Sequence, residues 1–356
     1  MSGMWGNNIR VSIFGESHGN AIGINIDGLP SGFHIDMDKV MVEMARRAPG
    51  KSPLSTPRKE GDIPEILSGY FEEKTTGTPL CAIIRNSNTK SKDYSKLKDV
   101  MRPGHADYTG AMRYDGFNDY RGGGHFSGRI TAPLVFAGAI CKQILESKGI
   151  SIAAHVNSIG SIKDKSFLDV DINEELILSF KGKELPLINS ELEEAMRQEV
   201  MNARKDMDSI GGTIECVVLG IKPGIGNPFF DSVESTLAHL MFSVPAVKGI
   251  EFGKGFDISK MRGSEANDEY YLDGKTIKTK TNNNGGILGG ITNGMPIVFK
   301  VAIKPTASIF KEQSTVNIAT MEETKLSIEG RHDPCIVQRA LPVIEAVTAI
   351  GILELM

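Results

Sequence analysis

The sequence lacks the features that mark several functional classes. Its four cysteines, Cys81, Cys141, Cys216 and Cys335, stand far apart with no CxxC spacing. That argues against a zinc or other metal site and against a disulfide framework, and suits reduced thiols in a cytoplasmic protein. The chain does not open on a basic stretch followed by an apolar run, so no signal peptide is expected. Nothing approaches the ~20 apolar residues of a membrane span. Basic residues are in slight deficit, 40 Lys and Arg against 44 Asp and Glu, for a formal net charge of −4. Nucleic-acid binders usually carry the opposite excess, so none is expected as partner, and any anionic ligand must be met by locally clustered arginines. No G-x-G-x-x-G opens a helix, which argues against a nicotinamide-binding domain. Short repeats and a clean linker are missing too, so the 356 residues are read as one domain, 1–356.

What is present concentrates between Arg102 and Thr131. This stretch holds His105 and His125, Arg121 and Arg129, the hydroxyls of Ser127 and Thr131, and the run Gly122-Gly123-Gly124. The sequence then turns apolar from Ala132 to Cys141, which reads as a buried helix with Pro133 in its first turn and Gly149 as its stop. A basic polar loop feeding the N-terminus of such a helix suits anion binding. A glycine-rich hairpin tip ahead of a core helix accounts for the same residues. Gly15-Glu16-Ser17-His18-Gly19 leaves a similar choice, between exposed reactive side chains and a turn with a solvated His18. Gly330-Arg331-His332-Asp333-Pro334-Cys335 feeds a second apolar helix from about Arg339, again with a proline, Pro342, near its start. The two halves end alike, a hint of duplicated architecture.

Around these loops the patterning gives strands over Ile9–Phe14, Ala21–Ile26, near Ile66, Leu80–Ile84, Ile150–Val156, Thr213–Leu219, Pro245–Gly253 and Ile297–Ile303. The last alternates most cleanly, with Ile297, Phe299, Val301 and Ile303 on one face. Asp36 caps a helix with Val40, Met41 and Met44 inward, ended by Ala48-Pro49-Gly50. Its last turn carries Arg46 and Arg47, which complement the helix dipole or meet an anionic ligand. Lys51 to Asp62 reads as a mobile loop, lid or connector, carrying Arg58 and Lys59. Ser190 and Glu193 form a capping box ahead of a helix with Leu192, Ala195, Met196, Val200, Ala203 and Met207 inward. Met196, Met201 and Met207 read as core fillers. A further helix spans Asp231–Phe242. Residues 160–187 show no pattern to which a function attaches.

Four segments together, GESHG (Gly15–Gly19), RPGHAD (Arg102–Asp107), DYRGGG (Asp119–Gly124) and GRHDPC (Gly330–Cys335), resemble the signature segments of the chorismate synthase family. NNNGGILGG (Asn282–Gly290) and KPTAS (Lys304–Ser308) are similar in order and spacing, and the resemblance runs from about Trp5 onward. It implies an α+β fold, a β-α-β sandwich with helices packed between two antiparallel sheets. It also implies a homotetramer that converts 5-enolpyruvylshikimate-3-phosphate to chorismate by 1,4-elimination of phosphate. Reduced FMN is the cofactor, with no net redox change, and NADPH serves only as an indirect reductant.

By the same resemblance His18 protonates the departing phosphate with Ser17 beside it, and His105 stands by the flavin. Asp333 with Ser127 assists removal of the ring proton, which flavin N5 accepts in that family. The flavin is held by His125, Phe126, Ser127, Pro245, Ala246, Gly289, Lys304, Pro305, Thr306, Ala307, Ser308 and Arg331. Substrate phosphate and carboxylates call for Arg47, Arg102, Arg129 and Arg331, because guanidinium forks match such anions. The sequence departs from the family where many members read RSSAR and this chain has His125-Phe126-Ser127-Gly128-Arg129. It departs again at Ala48 and Pro53, where arginine is frequent, and at Ala307, where serine is. Two other readings use the same residues: a flavin reductase or oxidoreductase, and a non-catalytic flavin- or anion-binding module.

Overall fold

A computed structural model describes residues 3–50, 54, 61–86, 97–328 and 332–356. Two five-stranded antiparallel sheets form its outer layers. The first runs, edge to edge, Met4–Trp5, Arg10–Gly15, Ala21–Asp27, Leu80–Arg85 and Pro64–Ser68. The second runs Val247–Phe252, Ile297–Ile303, Gly212–Leu219, Ser151–Ile159 and Ile162–Lys163. In each sheet the strand latest in the chain is inserted between its third and fourth. The alternating apolar residues read from the sequence fall inward: Ile22, Ile24 and Ile26 in one sheet, Ile297, Phe299, Val301 and Ile303 in the other, are all buried.

Between the sheets lie the helices. Thr131–Glu146 and Val337–Glu354 pack on one another at the centre, flanked by Met37–Arg47 and Val233–Ser243. A helix covered on every side has no face that profits from polarity, which is why both central helices are apolar nearly all round. Gly138 sets their closest approach, since a Cβ there would fall 2.2 Å from the Cβ of Ala346. One buried exception is Glu345. Arg46 reaches its two oxygens at 2.6 and 2.9 Å, Lys142 at 2.7 Å, and the amide of Ala154 donates to it at 3.1 Å. Burial alone would raise its pKa, but the two cations hold it down to about 2.

Chain order threads the molecule shut. The carboxylate of Glu354, on the second central helix, accepts from the amides of Asn7, Asn8 and Ile9 at 2.7–2.9 Å. Asp36 caps its helix as the sequence suggests, accepting from the Lys39 amide at 3.1 Å.

Three expectations are corrected. The Ser190–Glu193 box does not form; Asn189 caps a 3-10 turn, Ser190–Leu192, that leads into helix Glu193–Lys205. Its inner face is narrower than the spacing suggested: Met196 and Val200 are buried, Ala195 is exposed, and Met207 lies past the helix end at φ 59°. Met201 and Met207 are exposed, so only Met196 fills core. Residues 160–187, patternless in sequence, cover the outer face of the second sheet: Phe167 and Phe180 pack with Ala153, Val217 and Val298. That cover is why Val298, on the opposite face from Phe299, is buried too. Beneath it His155 lies 3.0 Å from Glu215 and 3.4 Å from Asp164, and these carboxylates outweigh the effect of burial to raise its pKa.

Candidate active site

The loops that leave the sheets converge on one cavity of about 810 Å³, within the usual range for small-molecule and cofactor sites. The first half of the chain contributes Arg47, Arg102, His105 and residues 125–131. The second half contributes Pro245, Ala246, Lys304 to Ser308, and Asp333. Both central helices begin at this cavity, so each polar loop is delivered to it by the helix that follows.

Ser17 and His18 do not line the cavity; they lie directly behind it. Both are buried, and Ser17 Oγ is 3.0 Å from His18 Nδ1 and donates to the Arg121 carbonyl at 3.3 Å. The glycine run separates them from His105. Gly122, Gly123 and Gly124 all take positive φ, open to glycine at little cost. A Cβ on Gly122 would fall 2.0 Å from His18 Cε1, and one on Gly123 would fall 3.2 Å from His105 Nε2. Two imidazoles therefore approach one bare strip of backbone, His18 against Gly122 and His105 against Gly123.

His105 is held by an acid that is itself held by an arginine. Asp107 Oδ1 lies 2.6 Å from His105 Nδ1, which makes Nδ1 the protonated nitrogen and leaves Nε2 on the Gly123 side. Arg102 donates to both oxygens of Asp107 at 2.7 Å. Burial would raise the Asp107 pKa, but the bonds from Arg102 and His105 keep the carboxyl well below the usual range. His125 Nδ1 donates to the Gly15 carbonyl at 2.9 Å, and Ser127 Oγ accepts from the Arg129 amide at 3.2 Å.

The arginines expected for substrate are paired within the protein. Arg47 donates to Asp62 at 2.9 Å, to Thr131 Oγ1 at 3.2 Å and to the Gly128 carbonyl at 2.7 Å. Arg129 shares Asp62 and donates to Asn86 Oδ1 at 3.1 Å. Burial, together with the charges of Arg339 and Arg129 and partly offset by Asp62, lowers the Arg47 pKa to about 10. Asp62 was read only as the end of a polar loop. Its role as shared counter-ion is a pairing across many residues, for which the local sequence gives no signal. Leu54, in that same loop, is buried, whereas Arg58, Lys59 and Pro53 lie outside the described residues.

Asp333 is 2.5 Å from Arg339 NH1, and Arg339 also donates to the Arg47 carbonyl at 3.2 Å. It does not cap the central helix, whose N-cap residue is Ile336. Arg339 and His332 line the cavity and were not singled out as site residues. Lys304 donates to the Gly104 carbonyl and its amide to Ala246, whose φ of 74° is uncommon for a residue with a Cβ. Gly289 lies off the cavity lining, in the hairpin Ile287–Leu288 with Ile291–Thr292. Arg331 falls outside the described residues. Among the described residues no group of three His, Cys, Asp or Glu side chains could hold a metal, and no helix is long and apolar enough to cross a membrane.

A family model described as chorismate synthase matches residues 9–356. A chorismate synthase of Dehalococcoides mccartyi is 44% identical over 355 residues, covering 100% of this chain and 96% of its own. One from Methanocaldococcus jannaschii is 47% identical over 364 residues, covering 99% and 95%. A crystal structure of chorismate synthase superposes with a TM-score of 0.76 at 30% identity, over 99% of this chain and 92% of that one. On a full-length match, in sequence and in the two-sheet sandwich, the chain belongs to the chorismate synthase family.

Proposed function

We propose that this chain catalyses its family's reaction, the 1,4-elimination of phosphate from 5-enolpyruvylshikimate-3-phosphate to chorismate, in aromatic amino acid biosynthesis. The observation that carries the reading is the approach of His18 and His105 to one glycine strip, beside a cavity that Asp333 also lines. His18, steadied by Ser17, gives a proton to the departing phosphate oxygen. Asp333, oriented by Arg339, works with Ser127 on the ring proton. His105, kept in one tautomer by Asp107, presents Nε2 to the cofactor side. Arg47, Arg102 and Arg129 contribute positive potential rather than free forks, since Asp62 and Asp107 already engage them.

Reduced FMN fits this cavity. Thr306 Oγ1 is buried there with no hydrogen-bond partner among the described residues. Lys304 is lowered in pKa by burial and by the neighbouring charge of Lys248, so an anionic group would be welcome. Residues 125–127, Pro245-Ala246 and 304–308 would hold the cofactor, with Gly289 and Arg331 added on sequence resemblance. When bound, the reduced flavin supplies electron density for C–O cleavage and is recovered in its starting redox state. NADPH acts only as an indirect reductant. The working form is a cytoplasmic homotetramer, in keeping with four free cysteines and with the exposed apolar hairpin Tyr270–Thr279. Anaerobic mixing with chemically reduced FMN and substrate should yield chorismate and phosphate, and oxidised FMN under air should yield neither. Product formed without flavin would overturn the cofactor assignment.

A further inference from the structure

His332 sits between Arg331 and Asp333 in the last polar loop, and the roles above leave it unused. It lines the cavity. Its ring packs against Phe310 with centroids 5.7 Å apart and planes at 61°. The backbone carbonyl of Ile328 accepts a hydrogen bond from the ring. Nε2 is buried and has no hydrogen-bond partner among the described residues, so the bond to Ile328 falls to Nδ1. In a neutral imidazole with Nδ1 protonated, Nε2 carries a lone pair and can only accept. Burial, followed by the nearby charge of Arg102, lowers the pKa of His332 and favours that neutral form. A buried acceptor without a donor is uncommon in folded proteins and calls for a cause. Among the described residues, Thr306 Oγ1 is the other orphaned side-chain atom on this cavity's wall.

We propose that His332 is a ligand-binding residue of this site, its Nε2 accepting a hydrogen bond from an N–H or O–H group of the bound ligand. The inference rests on the functional reading above, which supplies two sources of that donor: a ring N–H of reduced flavin, or the free ring hydroxyl of the phosphorylated substrate. A neutral acceptor set among arginines is selective. It favours a ligand's neutral donor edge, whereas phosphate and carboxylate groups, lacking a proton to give, are turned toward the cations.

Two measurements test this on the full chain. In protein labelled with 15N-histidine, the His332 Nε2 resonance should leave the free lone-pair position when reduced FMN or substrate is added anaerobically, and the ligand that moves it identifies the donor. His332→Asn keeps a side-chain donor near Nδ1 for the Ile328 carbonyl but lacks the distal acceptor. It should melt close to wild type and bind that ligand about three- to tenfold more weakly, the usual net worth of one hydrogen bond. His332→Gln, whose amide reaches the distal position, should recover part of the loss. A resonance unmoved at saturation by both ligands would overturn the proposal while leaving the enzymatic reading intact. Wild-type protein that binds neither ligand would overturn both.

Discussion

Gly122 shows how finely the site depends on a missing side chain. Alanine there would put a Cβ 2.0 Å from His18 Cε1 at a φ of 62°, so either the loop or the imidazole must shift. Gly122→Ala should cost about 10²-fold in turnover, the order expected for an ångström-scale misplacement of a reacting group, with a much smaller effect on FMN binding. His18→Ala should lower turnover by roughly 10²–10⁴-fold, the usual worth of general acid catalysis, again with flavin bound. Normal turnover in His18→Ala would remove that imidazole from the chemistry. Asp333→Asn keeps a partner for Arg339 but loses proton affinity. It should retain fold and ligand binding and lose most of the rate; a variant that turned over normally would sink the role given to Asp333. His18, His105 and Asp333 were singled out through the resemblance of their segments to the chorismate synthase family; from the residues alone, GESHG read as readily as a turn. Their partners were not legible in sequence. Asp62 with Arg129 and Asp333 with Arg339 depend on where loops meet, and one half of each pair looks like an ordinary surface charge until the fold is known.

Among the elements, the second central helix carries the most exposed test of buried charge. Glu345 has its pKa held down to about 2 from an ordinary 4.5. A carboxyl depressed in this way contributes stability that is fully present above about 4.5 and is lost as pH falls toward 2. Glu345→Gln leaves Glu43 as the acid shared by Arg46 and Lys142 and should cost up to ~3 kcal/mol at neutral pH. Its melting temperature should approach that of wild type as acid protonates Glu345 in the latter. A gap that stayed constant across that range would show that the ion cluster is not what the helix depends on. Both central helices and eight of the ten strands of the two main sheets were foreshadowed in outline by apolar patterning; the two-residue edge strands Met4–Trp5 and Ile162–Lys163 were not. Periodicity failed where burial came from another quarter. Val298 faces away from the central layer and is buried only because residues 160–187 fold over it. The helix after Asn189 shows the converse, its apolar spacing extending past the part that is covered.

At the scale of the molecule, the hairpin Tyr270–Thr279 presents exposed apolar side chains to a neighbour. Tyr270, Leu272 and Ile277 are 61, 74 and 61% exposed. Light scattering should give the mass of four chains, and Leu272→Asp with Ile277→Asp should reduce it; a wild-type monomer at micromolar concentration would contradict the tetramer. The hint of duplication also takes physical form here. Each half is a five-stranded sheet, a polar loop and an apolar helix, and each sheet receives its last strand between two earlier ones.

The clasp between Glu354 and the amides of Asn7 to Ile9 has a consequence for how the molecule is made. Both sheets leave the ribosome before the helix that carries Glu354, which packs on the inner face of the second. Until that helix arrives, the inner face of the second sheet, rich in isoleucine and valine, stands largely open and able to stick to a neighbouring chain. Contacts so distant along the chain also form slowly. Biosynthesis therefore has a vulnerable interval that the finished structure conceals, and a holding chaperone would find its binding surface here, on a face that no folded copy ever displays.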